Sequence, residues 1–331
     1  MIVSLPVLLP LAFMIFAFLF RHYHGREYVA VGAAGLNLIL SVILLMETGN
    51  TGMLKIQMGN WPAPYGITLV ADRFSALMIL VAAIVFLATM AYSVHALDLK
   101  RKSFGFYLFA FGILMGVNGA FLAGDIFNLY VWFEVMLMAS FILMSHGGER
   151  NQLEGSIKYL ILNLISSFFF VAGIGLLYGK LGTLNMADIA SKLMEYDTMP
   201  PEINPAFILI FIGFSIKGAL VPFFFWLPAS YHTPPPVVTA LFAGLLTKVG
   251  IYSLIRFYTL FLHQHHEFWQ PLVLWIAALS MIIGVITATS QFEFRKILSF
   301  HIISQVGYVV MGLGLFTISG LAGAIYFLVN N

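Results

Sequence analysis

The sequence has no cysteine and very little charge. Of its 331 residues, none is cysteine and only 9% are Asp, Glu, Lys or Arg. The missing cysteines exclude disulfide bonds and thiolate-bound metal or iron–sulfur centres within this chain. The net charge of +2 and the scattered basic residues exclude the concentrated positive surface that binds nucleic acid. The sequence also lacks a glycine-rich phosphate loop and the nucleophile elbow of serine hydrolases. No cofactor is therefore predicted.

Hydrophobic residues dominate the chain instead. They make up 61% of the sequence, aromatic residues make up 15%, and apolar runs recur along the whole length. This composition predicts an all-α, polytopic membrane helical bundle whose first partner is the lipid bilayer. The first run, Ile2–Phe20, has no basic leader before it and no small-residue cleavage site after it. We therefore expect a retained helix there rather than a signal peptide.

At roughly 20 residues per membrane span, the apolar runs predict about ten complete transmembrane helices and a partial eleventh. The complete spans are Ile2–Phe20, Tyr28–Met46, Ala71–Tyr92, Phe104–Leu122, Ile126–Ser145, Ile157–Tyr178, Pro205–Leu227, Pro235–Leu262, Pro271–Ser290 and Ile297–Phe316. The last piece, Ile318–Asn331, has 14 residues and would rise roughly 21 Å, which is short of a ~30 Å hydrocarbon core. We expect the chain to stop inside this eleventh helix.

Basic residues are distributed unevenly between the predicted loops. The odd-numbered loops hold nine Lys and Arg residues, whereas the even-numbered loops hold three together with most of the loop carboxylates. Because cytoplasmic loops collect Lys and Arg, we expect a cell-membrane protein with its N-terminus outside. Two long outer loops, at 47–70 and 179–202, carry turn signals or polar stretches and are expected to hold local structure.

Three ionisable residues interrupt the apolar spans near mid-membrane. Glu134 lies about 12 Å into the fifth predicted helix, and Lys217 and Lys248 lie about 18–20 Å into the seventh and eighth. A charge at bilayer depth costs at least ~2.5 kcal/mol, so it commonly marks an ion or proton path. The alternative is a structural ion pair, or lysines whose ammonium groups reach back to the membrane interface.

Lys217 has the strongest local signal, because Gly218 and Pro222 follow it closely. Pro222 cannot donate a hydrogen bond to the carbonyl of Gly218 and clashes with it, so we predict a break in the seventh helix. Broken helices inside a membrane are tolerated where they are buried in protein or line a watery cavity, and a titrating lysine needs the same setting. The alternative is an ordinary proline kink that serves packing.

Other titratable residues carry weaker signals. His301 has Gln305 one turn later on the tenth predicted helix and is a candidate proton relay, or else a packing histidine. Arg256 lies two turns beyond Lys248, where it serves the path or anchors at the outer interface. The tract His263–Glu267 resembles a metal-binding run and would suit a membrane-embedded enzyme. It has no second cluster to complete a site, so no metal site is predicted.

Several strings together resemble one family. They are Phe133–Met136, Ile216–Pro222, Leu245–Tyr252, Arg295–Tyr308 and the outer-loop run Trp61–Ile67. The strings are similar to the proton-conducting antiporter family shared by Mrp-type cation/proton antiporters and respiratory complex I. The residue sequences of these strings are most similar to those of the D-type members of the Mrp group. The resemblance covers essentially the whole chain.

The resemblance implies an inverted-repeat fold in which each five-helix repeat contains one broken helix. Residues 1–103 would hold three N-terminal helices with the outer loop 47–70. Residues 104–262 would form the first repeat, and residues 263–331 would begin the second. In this scheme Glu134 modulates the pKa of Lys217, which passes a proton through water to Lys248, and His301 is a further relay.

The same resemblance implies a subunit of a multisubunit sodium/proton antiporter, with other antiporter subunits as partners and protons and sodium ions as substrates. The alternative is the homologous proton-pumping subunit of NADH:quinone oxidoreductase or of a membrane-bound hydrogenase. This sequence differs from many members of the family near the predicted break. Many relatives carry a histidine and an aspartate in the segment that here reads Pro222–Ala229, and both are missing.

Overall fold

The structure is a computed structural model that describes residues 2–20, 25–196, 198–262 and 266–331. Apart from one β-hairpin, the regular secondary structure of the described residues is helical, which confirms the predicted membrane helical bundle. The elements are α1 Leu5–Leu19, α2 Arg26–Thr51, β1 Leu54–Gln57, β2 Thr68–Ala71, α3 Arg73–Ala96, α4 Leu99–Ser103, α5 Phe106–Leu122, α6 Ile126–Ser145, α7 Arg150–Leu181, α8 Met186–Met194, α9 Asn204–Lys217, α10 Trp226–Ser230, α11 Pro236–Leu241, α12 Thr247–Phe261, α13 His266–Thr289, α14 Phe294–Gly314 and α15 Ile318–Asn330. Among described residues, eight helices are long and apolar enough to span a membrane.

The chain packs into two compact units. The first comprises Met1–Ser156 and Pro234–Leu245, and the second comprises Ile157–Thr233 and Leu246–Asn331. The units are not continuous in sequence. The segment Pro234–Leu245 belongs to the first unit because its helix α11 packs on α3. The repeat boundaries at 104–262 and 263–331 stay a prediction.

In the first unit, α5 packs closely on α6, the helix that carries Glu134. A Cβ on Gly119 would lie 2.2 Å from the Trp132 ring, and one on Gly116 would lie 3.0 Å from the Met136 backbone nitrogen. Only glycine permits this approach, which is how membrane helices gain contact without a hydrophobic driving force between them. The position of Glu134 therefore depends on small residues in the neighbouring helix.

The two long loops at 47–70 and 179–202 hold local structure, as their sequence signals predict. β1 and β2 pair antiparallel with Leu54 opposite Ala71, and the Gly124 N–H donates to the Thr68 carbonyl at 2.9 Å. The polar stretch 179–202 contains the short helix α8, whose N-terminus is capped by the Asn185 side chain. The hairpin is thus tied to the turn from α5 into α6.

Asp125 caps the N-terminus of α6. Its carboxylate accepts hydrogen bonds from the backbone N–H groups of Phe127 and Asn128, both at 2.9 Å. We expect Asp125→Ala to lower the free energy of unfolding by about 1 to 2 kcal/mol, because two N-terminal donors lose their acceptor. Thermal unfolding in detergent measures this change. Asp125→Asn keeps an acceptor oxygen and should stay near the parent, so equal losses in the two variants would contradict the capping role.

The second unit contains the helix pair α9 and α12 and the helix pair α13 and α14, with α15 on α14. α7 reaches this unit through its residues after Ile157, and the Ser166 hydroxyl donates to the Gly213 carbonyl of α9 at 2.8 Å. Polar contacts of this kind hold membrane helices in register. They fix α9 beside its neighbours up to the point where it ends.

Three predicted spans differ most from the structure. Pro205–Leu227 is not one helix, since α9 ends at Lys217 and helical structure resumes only at α10. Pro235–Leu262 contains a π-helical turn at Phe242–Leu246. The hydrophobic periodicity and the length of the span cannot reveal such a turn. α7 begins at Arg150, before the predicted Ile157, because polar first turns extend beyond the apolar span.

Candidate functional site

The candidate site is centred on the break that follows α9. The Gly218 N–H still bonds to Phe214 O at 2.7 Å, and the Leu220 N–H reaches back to Ser215 O at 2.9 Å. Between them Ala219 has a φ of 56°, in the left-handed region that alanine rarely adopts. Pro222, three residues after Ala219, has no N–H that could donate a hydrogen bond. The break predicted at Gly218 and Pro222 is therefore present, and Lys217 is the last helical residue before it.

Lys217 is buried at this helix end, with only 4% of the residue exposed. α9 contains 14 residues, so Lys217 lies about 20 Å along the helix axis from its start. The C-terminal end of a helix carries partial negative charge from the helix dipole and favours a cation by about 0.3 to 1 kcal/mol. The break therefore supplies a setting in which a buried ammonium group is tolerated.

Trp226 of α10 packs at the C-terminal end of α9. The Trp226 indole N–H donates to the Ile216 carbonyl at 2.8 Å, and its ring packs against Tyr159 and Tyr231 at centroid distances of 5.4 and 5.6 Å. Trp226 itself is only 1% exposed. The residues around Lys217 are thus held by aromatic packing as well as by backbone hydrogen bonds.

α12 approaches the break directly behind Lys217. A Cβ on Gly250 would lie 2.7 Å from the Gly218 nitrogen and 2.9 Å from the Lys217 carbonyl carbon. Lys248 lies two residues before Gly250 and is half-buried, just after the π-helical turn. Such turns are frequent at functional sites. The structure therefore brings Lys217 and the helix of Lys248 together in one packed unit.

The other predicted path residues lie elsewhere. Glu134 is half-buried on α6 in the first unit. His301 is exposed on α14 and contacts the Gln305 side chain at 2.7 Å. The Arg256 guanidinium donates to the Tyr252 hydroxyl at 2.9 Å. The path roles of Glu134, Lys217, Lys248 and His301 stay predictions.

Within the described ranges, no group of three or more His, Asp or Glu side chains is placed to hold a metal ion. His263 and His265 of the tract lie outside the described residues, as does the side chain of His266.

Three positions that contact the break were not singled out from the sequence. Gly250, Trp226 and Ser280 all contact the backbone around the break. Gly250 follows Lys248 so closely that a search for small residues near the buried charges would find it. Ser280 has no local signal, because its partner Val221 lies 59 residues earlier.

Comparison with known proteins places the chain. Residues 123–330 match the profile of a family described as "NADH:quinone oxidoreductase/Mrp antiporter, TM". The chain belongs to this family. The matched residues include the α9 break, Lys217, Lys248 and Glu134, so the NADH:quinone oxidoreductase/Mrp antiporter signature coincides with the candidate site.

Individual relatives agree with the family profile. The chain is 44% identical, over 100% of its length and 67% of the relative's, to the D-type subunit of the Na(+)/H(+) antiporter of Alkalihalophilus pseudofirmus. Its fold matches a chain of the Mrp complex from Dietzia sp. with a TM-score of 0.89 at 30% identity, covering 99% of this chain and 61% of that one. A chain of the membrane-bound sulfane sulfur reductase, an archaeal respiratory membrane complex, matches with a TM-score of 0.94 at 27% identity, covering 99% and 68%. The chain thus spans about two thirds of these relatives.

Proposed function

We propose that this chain is a proton-translocating membrane subunit of a multisubunit sodium/proton antiporter, and a transporter component rather than an enzyme. The Alkalihalophilus relative is named as a subunit of a Na(+)/H(+) antiporter, and a structural neighbour belongs to the Mrp complex. The observation that carries the proposal is a buried lysine at the end of a broken membrane helix. Buried ionisable groups at mid-membrane are costly and are retained mainly for ion movement.

The proposed path runs through Glu134, Lys217 and Lys248. Lys217 lies at a helix end that favours its charged form through the helix dipole, while burial opposes that form. An ammonium group between these two influences is able to release and regain a proton during a transport cycle. Lys248 on the helix packed behind the break would receive the proton, and Glu134 would set the charge state of Lys217. His301 is a further relay in this proposal.

The partners follow from the same family relationship. Other antiporter subunits would form a hetero-oligomeric membrane complex with this chain and would carry the sodium pathway. We place the chain in the cell membrane with its N-terminus outside. The positions of five basic residues support this, because Lys and Arg collect on the cytoplasmic side. They are Lys100 and Arg101 on the short helix α4 between α3 and α5, Arg150 at the start of α7, and Arg295 and Lys296 in the first turn of α14.

A second candidate function is favoured by the structural similarity to the sulfane sulfur reductase chain. In that case the same proton path would belong to a redox-driven complex, and electron transfer in partner subunits would supply the driving force. The lower sequence identity, 27% against the 44% to the antiporter relative, makes this the weaker proposal.

Cation-driven proton movement in vesicles separates the two functions. Inverted membrane vesicles from cells that express the complete complex would be acidified by ATP hydrolysis, with no electron donor present. We expect added NaCl to collapse the pH gradient, because an antiporter needs only the two ion gradients. Vesicles from cells lacking the complex are the control. Proton movement that depends on an electron donor and ignores sodium would contradict the antiporter assignment.

A further inference from the structure

In the break after α9, the backbone N–H of Val221 has an acceptor on another helix, α13. The Val221 N–H donates to the Ser280 hydroxyl oxygen of α13 at 3.1 Å. Val221 is 7% exposed and Ser280 is fully buried, so water cannot easily replace this acceptor. An unsatisfied backbone N–H within a membrane is costly. The Ser280 hydroxyl therefore helps to fix the backbone conformation of the segment that follows Lys217.

The hydroxyl of Ser280 is fully oriented by its own helix. It donates to the Ile276 carbonyl at 2.7 Å, and this leaves its oxygen lone pairs to accept from Val221. A single hydroxyl thus links the backbone of α13 to the broken segment. A serine that only bonded back to its own helix would have no such consequence.

α13 offers a rigid support for this bond, because it is packed tightly on α14. A Cβ on Gly284 would lie 2.5 Å from the Ser304 nitrogen, and one on Gly307 would lie 2.8 Å from the Met281 nitrogen. Only glycine at these two positions allows the backbones of α13 and α14 to pack this closely. The break is therefore held from α13 on one side and by the close approach of Gly250 in α12 on another.

We propose that Ser280 is a positioning residue for Lys217, which acts through the Val221 N–H and the segment between them. Only three residues separate Lys217 from Val221, and the segment includes Ala219 in its left-handed conformation. Loss of the Ser280 acceptor frees this segment to relax, which moves the Lys217 ammonium group and changes its surroundings. The inference rests on the proposed function, in which Lys217 carries protons.

The test compares three serine variants in the complete complex. Ser280→Ala should lower the sodium-dependent antiport rate about tenfold and shift the pH at which the rate is half-maximal. Ser280→Thr keeps the hydroxyl and should restore both the rate and the pH profile. Ser253→Ala is the matched control, because Ser253 is equally buried and donates to the Val249 carbonyl of its own helix at 2.8 Å. It should leave the pH profile unchanged.

Ser280→Cys gives a second measurement if Ser280→Ala fails to assemble. Cysteine is nearly the size of serine but is a weak acceptor, so it should assemble and shift the pH profile as alanine would. A parental rate and pH profile in assembled Ser280→Cys, or an equal shift in Ser253→Ala, would overturn the inference. If Lys217→Ala transports normally, the proposed function itself fails. If Lys217→Ala is inactive and the Ser280 variants are normal, only the positioning role fails.

Discussion

Lys217→Ala should abolish sodium-dependent proton movement in inverted vesicles while the complex still assembles. A positioned side chain that transfers a proton contributes roughly a hundredfold or more to its rate, so we expect a loss of at least that order. Assembly should survive, because alanine removes a buried ammonium group without adding volume at the end of α9. Fluorescence quenching of a pH-sensitive dye on addition of NaCl measures the rate.

Two companion variants test the order of the path. Lys248→Ala should reduce antiport as strongly as Lys217→Ala, because no lysine would then receive the proton on α12. Glu134→Ala should instead reduce the rate and shift its pH dependence, since its proposed role is to set the charge state of Lys217.

Lys192→Ala is the matched control for the lysine variants. Lys192 lies on the short helix α8 in a polar connection, where its ammonium group donates to the Leu181 carbonyl at 2.8 Å and lies 3.8 Å from an Asp188 carboxylate oxygen. Removing it should leave transport near the parental rate. Normal transport in Lys217→Ala, Lys248→Ala and Glu134→Ala with normal assembly would favour structural ion pairing over a proton path.

Gly250→Val should prevent stable assembly of the helices around the break. Even a single Cβ at this position would lie 2.7 Å from the Gly218 nitrogen and 2.9 Å from the Lys217 carbonyl carbon. These are backbone atoms, so the whole end of α9 must move away. Overpacking of this kind costs about 1 to 3 kcal/mol, and valine adds two further methyl groups. The measurement is the amount of assembled complex after detergent extraction, together with its thermal stability.

Gly175 supplies the matched control for Gly250. It lies on the exposed face of α7, and a Cβ there would meet nothing within 4 Å. Gly175→Val should therefore assemble normally, since the change adds only exposed apolar surface to a membrane helix. Equal loss of assembly in both variants would show that valine disturbs these helices for reasons other than the contact between α9 and α12.

Several features of the site were accessible from local sequence alone. The depth of Lys217, its proximity to Pro222 and the apolar spans around it are all properties of neighbouring residues, so the break was predictable from them. The prediction missed that α9 ends at Lys217 itself, because a proline weakens the preceding turn but does not dictate where the last hydrogen bond forms. The π-helical turn before Lys248 has no composition that distinguishes it from the surrounding α-helix.

The sequence by itself determined that this chain is a membrane helical bundle, that three ionisable residues lie within apolar spans, and that the helix carrying Lys217 breaks. These properties follow from apolar length, ionisable residue type and proline chemistry, all of which act over a few neighbouring residues. Tertiary structure alone decided that Gly250 lies against the Lys217 backbone and that Ser280 accepts the Val221 N–H. Those contacts depend on which helix faces pack together. The local sequence around each residue does not indicate this packing, because the contacting residues are far apart in the chain.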